Sequence, residues 1–491
     1  MSSNNVVKQI AIGSIWSMLM RMSIRFLGII SVIILARVLL PEDYGIVAKA
    51  VILSGFLDLV TQFGFAAALI QNQQATKEDY DTVWTLSIIR AILLAVIMCV
   101  LSIPLAEYFK EPAVQHLIYV YAISTLIQGF NNVGIVDFLK DMNFQLDFKF
   151  NLIKKLVSFT TTIAIAITWE TYWAFPIGIL FSNVIALFAS YILSRYRPTL
   201  TFASVKHIFH FSKWMFAYEL MGAFSTKMDA FLLGRFTSSE SLGLYTMGYE
   251  ISGMPSTEIS MPVARAALPG LSKLNNSRSK LVKTYVDILA STLLLAIPAA
   301  AGLSVLAEDI VKLALGENWL SVIPLVQVLA FFGITRVFVS CAVSALIAFK
   351  RVDILSKYSL FMLIIKLAIL PLAVVSYGLV GATYGVFVCG IIGMLSILII
   401  QHYIGLLNIW LLMQQTWRII TSAIIMYGLL FYAVPLVHSL SFPLLINLIV
   451  EITIGMTSFS IILLILTILV RSETGPEKKL YLIIKNKMRT I

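Results

Sequence analysis

The chain is expected to be an all-α polytopic membrane protein with about fourteen transmembrane helices. Two observations carry that reading. Hydrophobic residues make up 59% of the 491 positions and charged residues only 12%, where a soluble chain carries about a quarter charged residues. The charges also fall in short clusters between long apolar runs, the pattern of repeated membrane-spanning helices.

At about twenty apolar residues per crossing, the spans fall near 10–40, 44–71, 83–109, 114–137, 148–168, 173–195 and 211–235. The remaining spans fall near 241–265, 283–307, 322–348, 353–375, 380–404, 414–435 and 443–470. The stretch from Ile10 to Leu40 is too long for a signal-peptide core and carries Arg21 and Arg25, so it reads as the first membrane helix and no cleavable leader is expected. Cys99, Cys341 and Cys389 all lie inside apolar runs and read as lipid- or core-facing, without redox function.

The net charge of +11 is spread over loops rather than gathered in a patch. It therefore points to membrane topology and not to nucleic acid. With a cytoplasmic N-terminus, the cytoplasmic segments hold 25 of the 36 Lys and Arg residues, against five on the outer side: Arg37, Lys49, Lys110, Arg235 and Lys312. This bias supports fourteen spans with both termini cytoplasmic, although twelve would satisfy the same parity. The tail from Arg471 is basic and amphipathic. It reads either as a segment lying on the anionic inner leaflet or as a solvated topogenic tail.

Sliding the chain over itself by 198 positions aligns Lys8, Ile10, Ser14, Trp16, Phe26, Leu35, Arg37, Glu42 and Gly45 with Lys206, Ile208, Ser212, Trp214, Phe224, Leu233, Arg235, Glu240 and Gly243. Chance would give about three identities over that stretch. The first and seventh helices are thus expected to be equivalent. An even number of helices separates them, so the two copies share one orientation, as in transporters that bind substrate between two bundles and rock them. The divisions expected are a first six-helix lobe (1–200), a second (201–405), two additional helices (406–470) and the tail (471–491). The repeated R-x4-E-x2-G unit reads as structural. Its arginine suits a helix C-terminus and its glycine permits a tight turn or close packing.

Ionisable residues at bilayer depth are functional candidates by default. The cations are Arg21, Arg25, Arg90, Lys227, Arg336 and Lys366, and the carboxylates include Asp58, Glu219, Asp229, Glu250, Glu258 and Glu451. Arg21 and Arg25 are four apart and share a helical face. Counted from Ile10, Arg21 lies about 16 Å along its helix, near the midplane. A cavity lined by Arg21, Arg25, Arg90, Arg336 and Lys366 would suit an anionic substrate, because guanidinium pairs with two phosphate oxygens at once. The alternative is that each cation pairs with a buried carboxylate or snorkels to an interface. Glu219, Lys227, Asp229 and Asp58 could form a coupling-ion site or a structural network. Pro255 and Pro262 could form a rocking hinge or a passive kink.

No H-E-x-x-H, Walker loop or metal-spaced Cys/His set is present, and the histidines at 116, 207, 210, 402 and 438 are scattered. No cofactor and no direct ATP drive within this chain are expected. A membrane polymerase or ligase would need catalytic residues on a large extramembrane loop, and no expected outer loop much exceeds about a dozen residues.

The strings LARVLLPEDYG (35–45), DAFLLGRFTSSESLGLYTMGY (229–249), PVARAALPGLSKL (262–274) and LGENW (315–319) resemble those of Wzx-type polysaccharide flippases. The likeness is greatest to the colanic acid and lipopolysaccharide exporter branch of the multidrug/oligosaccharidyl-lipid/polysaccharide superfamily. It runs to about position 400. The resemblance implies two pseudosymmetric six-helix lobes with two C-terminal helices. It also implies flipping of undecaprenyl-pyrophosphate-linked repeat units across the bacterial cytoplasmic membrane, coupled to protons or sodium. A polymerase and export machinery would be its partners. In related lipid flippases, first-helix arginines line the cavity. The rival reading within the superfamily is a drug or cation antiporter, which would prefer an acidic cavity; an inactive scaffold for a sugar-export complex is a third.

Overall fold

The computed structural model describes residues 3–60, 69–70, 74–141, 143–205, 222, 224–225, 227–273, 278–349, 351–470 and 475–477, with side chains described from Trp16 onward except at 59–60, 259–278, 348 and 352. Among these residues there are helices and turns and no strand. That follows from the solvent: in lipid each backbone N–H and C=O must be satisfied within the segment, and a helix does this alone. Among the described residues, nine helices are long and apolar enough to cross a membrane by length and composition.

The chain divides into two units, Met1–Gly243 and Leu244–Ile491. In the first, α1 (Ser3–Val38), α2 (Pro41–Val60), α3 (Lys77–Phe109), α4 (Ala113–Gly129), α5 (Phe144–Trp169) and α6 (Ala174–Leu193) are followed by α7 (227–236) and the first residues of α8 (Ser239–Lys273). The span expected at 211–235 lies mostly outside the described residues, as does 61–68 of the second span.

The repeat register reappears in the helix ends. Shifted by 198, Val38 falls on Phe236 and Pro41 on Ser239, so α1 and α7 end, and α2 and α8 begin, at matching positions. Leu35 and Leu233 are both buried, while Glu42 and Glu240 are both exposed in a first turn. The two repeated glycines lie against the opposite copy. A Cβ on Gly45 would collide with the Ser239 carbonyl, and one on Gly243 with the Pro41 carbonyl. Beneath this crossing lies Lys49, which was expected in an outer segment but is buried within α2. Its Nζ donates to Ser239 Oγ at 2.8 Å and to the Phe109 carbonyl at 3.4 Å, with Glu111 at 3.9 Å.

The fourth helix stops at Gly129, short of the expected 137. Asn132 takes over there: its side chain accepts from the Gly134 N–H at 2.9 Å and donates to the Tyr196 carbonyl at 2.7 Å. A 3-10 turn (Val133–Val136) and one helical turn (Asp137–Lys140) follow. Polar contacts also join helices. Asn183 of α6 donates to Ser124 Oγ of α4 at 2.7 Å, and Asp81 of α3 accepts from the Thr199 N–H at 2.8 Å and from Tyr196 OH.

The second unit holds the rest of α8, then α9 (Arg278–Val305), a short α10 (Ala307–Ala314), α11 (Ile323–Ala348), α12 (Val352–Tyr403), α13 (Ile409–His438) and α14 (Leu444–Leu469). Its core packs Tyr285, Leu289 and Leu293 of α9 against Val337, Cys341 and Ala345 of α11. Tyr285 OH and the Gln401 amide bond each other inside that core at 3.0–3.1 Å. In the LGENW string, Gly316 has φ +90 and Trp319 is fully buried, so those residues fix a turn. Cys341 and Cys389 are buried and Cys99 is exposed, all within helices as expected.

Helix α12 is two spans, as the sequence reading expected, joined at Gly378 with φ 56 and ψ −131. The legs run back along each other: a Cβ on Gly385 would stand 3.1 Å from Leu370 and one on Gly393 2.9 Å from the Tyr358 hydroxyl. The tail begins docked, not free. Arg418, expected in a cytoplasmic segment, is buried in α13, and its Nε donates to Glu477 at 2.7 Å. Residues 478–491 lie outside the described residues.

Replacing Gly45 or Gly243 with alanine is expected to destabilise the protein by about 1–3 kcal/mol, since the colliding atoms are backbone. Gly378→Ala should cost about 1–2 kcal/mol through its left-handed backbone. Thermal unfolding in detergent reads all three, and unchanged melting would refute the packing described.

Candidate functional site

The first unit gathers charge around one carboxylate. Asp58 lies one turn after Gly55 on α2. Arg90 of α3 reaches Asp58 Oδ1 at 3.5 Å, and the two side chains keep 29% and 45% of their exposure. Lys227 of α7 lies against the same stretch of α2, its Nζ 3.5 Å from where a Gly55 Cβ would stand. Lys154 of α5 is near enough to act electrostatically on Asp58. Two cations, Arg90 and Lys154, thus act on a single carboxylate, and Lys227 lies against the neighbouring turn of α2.

Length explains their depth. Arg90 is thirteen residues into α3, about 20 Å from its start, and Lys154 is ten residues into α5, about 15 Å in. Lys154 was expected in a cytoplasmic segment. The structure places it ten residues inside α5, which begins at Phe144, four residues earlier than expected, with Asn143 accepting from the Leu146 N–H. An asparagine cap ahead of the first helical turn was the available signal.

Arg21 and Arg25 lie on α1, which packs on α5; Trp16 and Phe148 meet there with ring centroids 5.3 Å apart. Arg21 is exposed and Arg25 half-buried, on a stripe with the exposed Met18, Met22 and Phe26. Asp229 is buried and has an interaction of its own. Glu219 lies outside the described residues.

The other expected cavity residues belong to the second unit. Arg336 of α11 stacks on the Tyr249 ring of α8 at 5.5 Å and lies 3.2 Å from where a Gly253 Cβ would stand. Lys366 is half-buried on the first leg of α12 and engages a partner. Pro255 and Pro262 both lie within the continuous helix α8; the side chain of Pro262 is outside the described residues. The same unit contains a cavity of about 510 Å³ lined by Leu293, Ile297, Phe331, Phe338, Ile420 and Tyr427, among others, almost wholly apolar. Among the described residues, one set of side chains could hold a metal ion: Asp309, His438 and Glu451 of the second unit.

The arrangement suits binding rather than bond-making. Arg90 and Lys154 at Asp58, with Lys227 on the neighbouring turn, leave a formal excess of positive charge, which favours a polyanion, and among the described residues no nucleophile–base pair accompanies it. A double-mutant cycle of Asp58→Asn and Arg90→Gln should return a coupling of about 1 kcal/mol or less, because both side chains are partly exposed. A coupling above about 3 kcal/mol would mean that the pair is sealed.

A sequence profile of a family described as "Polysaccharide biosynthesis protein" matches residues 34–324. The chain is 24% identical over 384 residues to the "Lipopolysaccharide biosynthesis protein WzxC" of Escherichia coli, covering 77% of this chain and 78% of that protein. It is 25% identical over 354 residues to the "Teichuronic acid biosynthesis protein TuaB" of Bacillus subtilis, covering 71% and 73%. Its fold is similar to that of the lipid II flippase MurJ in an inward closed conformation. That likeness has a TM-score of 0.75 at 15% identity, over 94% of this chain and 100% of that one.

Proposed function

The chain belongs to the polysaccharide biosynthesis protein family, and from that premise we propose that it flips lipid-linked oligosaccharide repeat units from the inner to the outer leaflet of the bacterial cytoplasmic membrane. The carrier is undecaprenyl pyrophosphate, and movement follows alternating access, coupled to protons or sodium. The observation that carries this reading is the excess of cations on membrane helices of the first unit: Arg90 and Lys154 at Asp58, Lys227 against Gly55 one turn away, and Arg21 and Arg25 on the adjoining α1.

A pyrophosphate demands that excess. Guanidinium groups pair with its oxygens bidentately and lysines add point charge. Asp58 keeps Arg90 oriented and partly neutralised until a stronger anion competes for it. The apolar cavity between α9, α11 and α13 gives the polyprenyl chain a place of matching chemistry. An antiporter of cationic drugs would meet repulsion at the first-unit cluster. Both termini are taken as cytoplasmic, following the bias of basic residues. Arg336 and Lys366 are assigned to the substrate path, Glu219, Lys227, Asp229 and Asp58 to coupling, and Pro255 and Pro262 to a rocking hinge. The export polymerase is the expected partner.

The direct test is reconstitution with a fluorescent undecaprenyl-pyrophosphate oligosaccharide in proteoliposomes. Gradient-dependent protection of the sugar from an external reagent is expected, and the effective gradient names the coupling ion. Inserted protein that neither binds nor moves the lipid would refute the reading.

Arg21→Ala combined with Arg25→Ala should lower export at least roughly tenfold, at about 1.5–3 kcal/mol per charge-assisted bond, with membrane insertion intact. Normal surface polysaccharide in cells carrying that double variant would remove these arginines from the site while leaving the family assignment standing.

A further inference from the structure

In the second unit, three short-range contacts join residues far apart in sequence. Asp309 stands in the first turn of α10, His438 is the last residue of α13, and Glu451 lies two turns into α14. His438 Nε2 is 2.8 Å from Asp309 Oδ2 and 3.4 Å from Glu451 Oε1. One ligand atom from each of the three lies within 4.8 Å of the others.

With both carboxylates ionised, the charge of this set is not balanced. The Asp309 and Glu451 side chains are 3% and 0% exposed. Asp309 Oδ1 and both Glu451 oxygens lack a hydrogen-bond partner. Two buried carboxylates facing one imidazole nitrogen cannot both be satisfied by it: Nε2 carries one N–H, and even a protonated ring offsets one of two negative charges. A buried charge left this way costs several kcal/mol. The cation one turn along α10, Lys312, is engaged with Glu308 at 2.6 Å.

We propose that Asp309, His438 and Glu451 bind one first-row divalent metal ion, with zinc as the reference ion, which staples the α13–α14 turn onto α10. One imidazole nitrogen with two carboxylates is a zinc-type donor set. With bonds of about 2.0–2.2 Å, ligand atoms on one ion stand about 3–4 Å apart, close to the spacings seen here. A divalent ion neutralises both carboxylates and engages the oxygens that lack partners. His438 is 39% exposed, so the ion has an entry route and an open coordination position. Calcium and magnesium prefer six or more oxygen ligands and fit poorly.

The proposal does not depend on what the chain transports, and its test does not read transport. Full-length protein without a polyhistidine tag is purified in detergent, stripped with EDTA and titrated with zinc by calorimetry and thermal melting. One saturable zinc per chain and a raised Tm are expected, with no rise in calcium or magnesium. His438→Ala and Glu451→Gln should each weaken binding at least about tenfold and abolish the rise, which separates this site from zinc on other histidines. No saturable binding, or binding unchanged in both variants, overturns the proposal and leaves a proton-sharing triad. If the variants do not elute as monodisperse protein, X-ray absorption on zinc-loaded wild type decides. One imidazole nitrogen plus carboxylate oxygens near 2.0–2.1 Å supports the site, and several imidazoles or a sulfur ligand overturns it.

Discussion

The close crossing of the α2 and α8 starts fixes much of the first unit. Gly45 lies against the Ser239 carbonyl and Gly243 against the Pro41 carbonyl, so each copy of the repeated motif supplies the gap the other fills. No side chain fits there, so the two helix starts have very little freedom to slide. Lys49 then bonds Ser239 and the end of α3 from below, with Glu111 accepting from Ser239 Oγ at 2.9 Å. Helix association in lipid lacks a strong hydrophobic drive and relies on such small-residue contacts and interhelical hydrogen bonds. The direction of α2 sets where Asp58 stands, and with it the cluster of Arg90, Lys154 and Lys227.

The cluster also shows how one carboxylate can serve a binding surface of opposite charge. Without Asp58, Arg90 and Lys154, brought together by α3 and α5, would repel one another at modest dielectric. With it, the helices can close while a net positive field remains for an anion. The pairing of Arg90 with Asp58 joins two residues that the sequence reading had put to different uses, one toward substrate and one toward coupling. In the structure the two residues meet at one contact, so a proton or cation that competes for Asp58 would change what Arg90 can hold.

Most spans were legible because length and hydropathy alone define a crossing. Even the break in α12 was anticipated, since the apolar run there is twice the length a bilayer needs. What escaped was set by local caps and by distance along the chain. Asn132 and Asn143 moved helix ends by several residues, and Lys154, counted with the cytoplasmic charges, lies ten residues inside the helix that Asn143 caps. Glu451 stood out as an intramembrane acid, but its neighbours Asp309 and His438 are 142 and 13 residues away, and nothing in the pattern linked them. Arg418 read as topogenic because its partner, Glu477, lies in a tail that hydropathy assigns to solvent. Arg21 and Arg25 were identifiable as a pair from their four-residue spacing, and they do share one stripe of α1.

The turn at Gly378 bears on how the chain enters the membrane. With no polar loop between its legs, residues 352–403 leave the ribosome as one long, mainly apolar stretch whose most apolar 18-residue window has a mean hydropathy of 2.3. A translocon that opens sideways would receive them as a preformed hairpin, not as two successive helices. Lys366 near the middle of the first leg opposes its partitioning by about 2.5–3.5 kcal/mol. The second leg, at its back, carries no Lys, Arg, Asp or Glu across 379–403 and contributes the aliphatic surplus that offsets this. One glycine dihedral thereby makes insertion of a charged span a joint event of two segments.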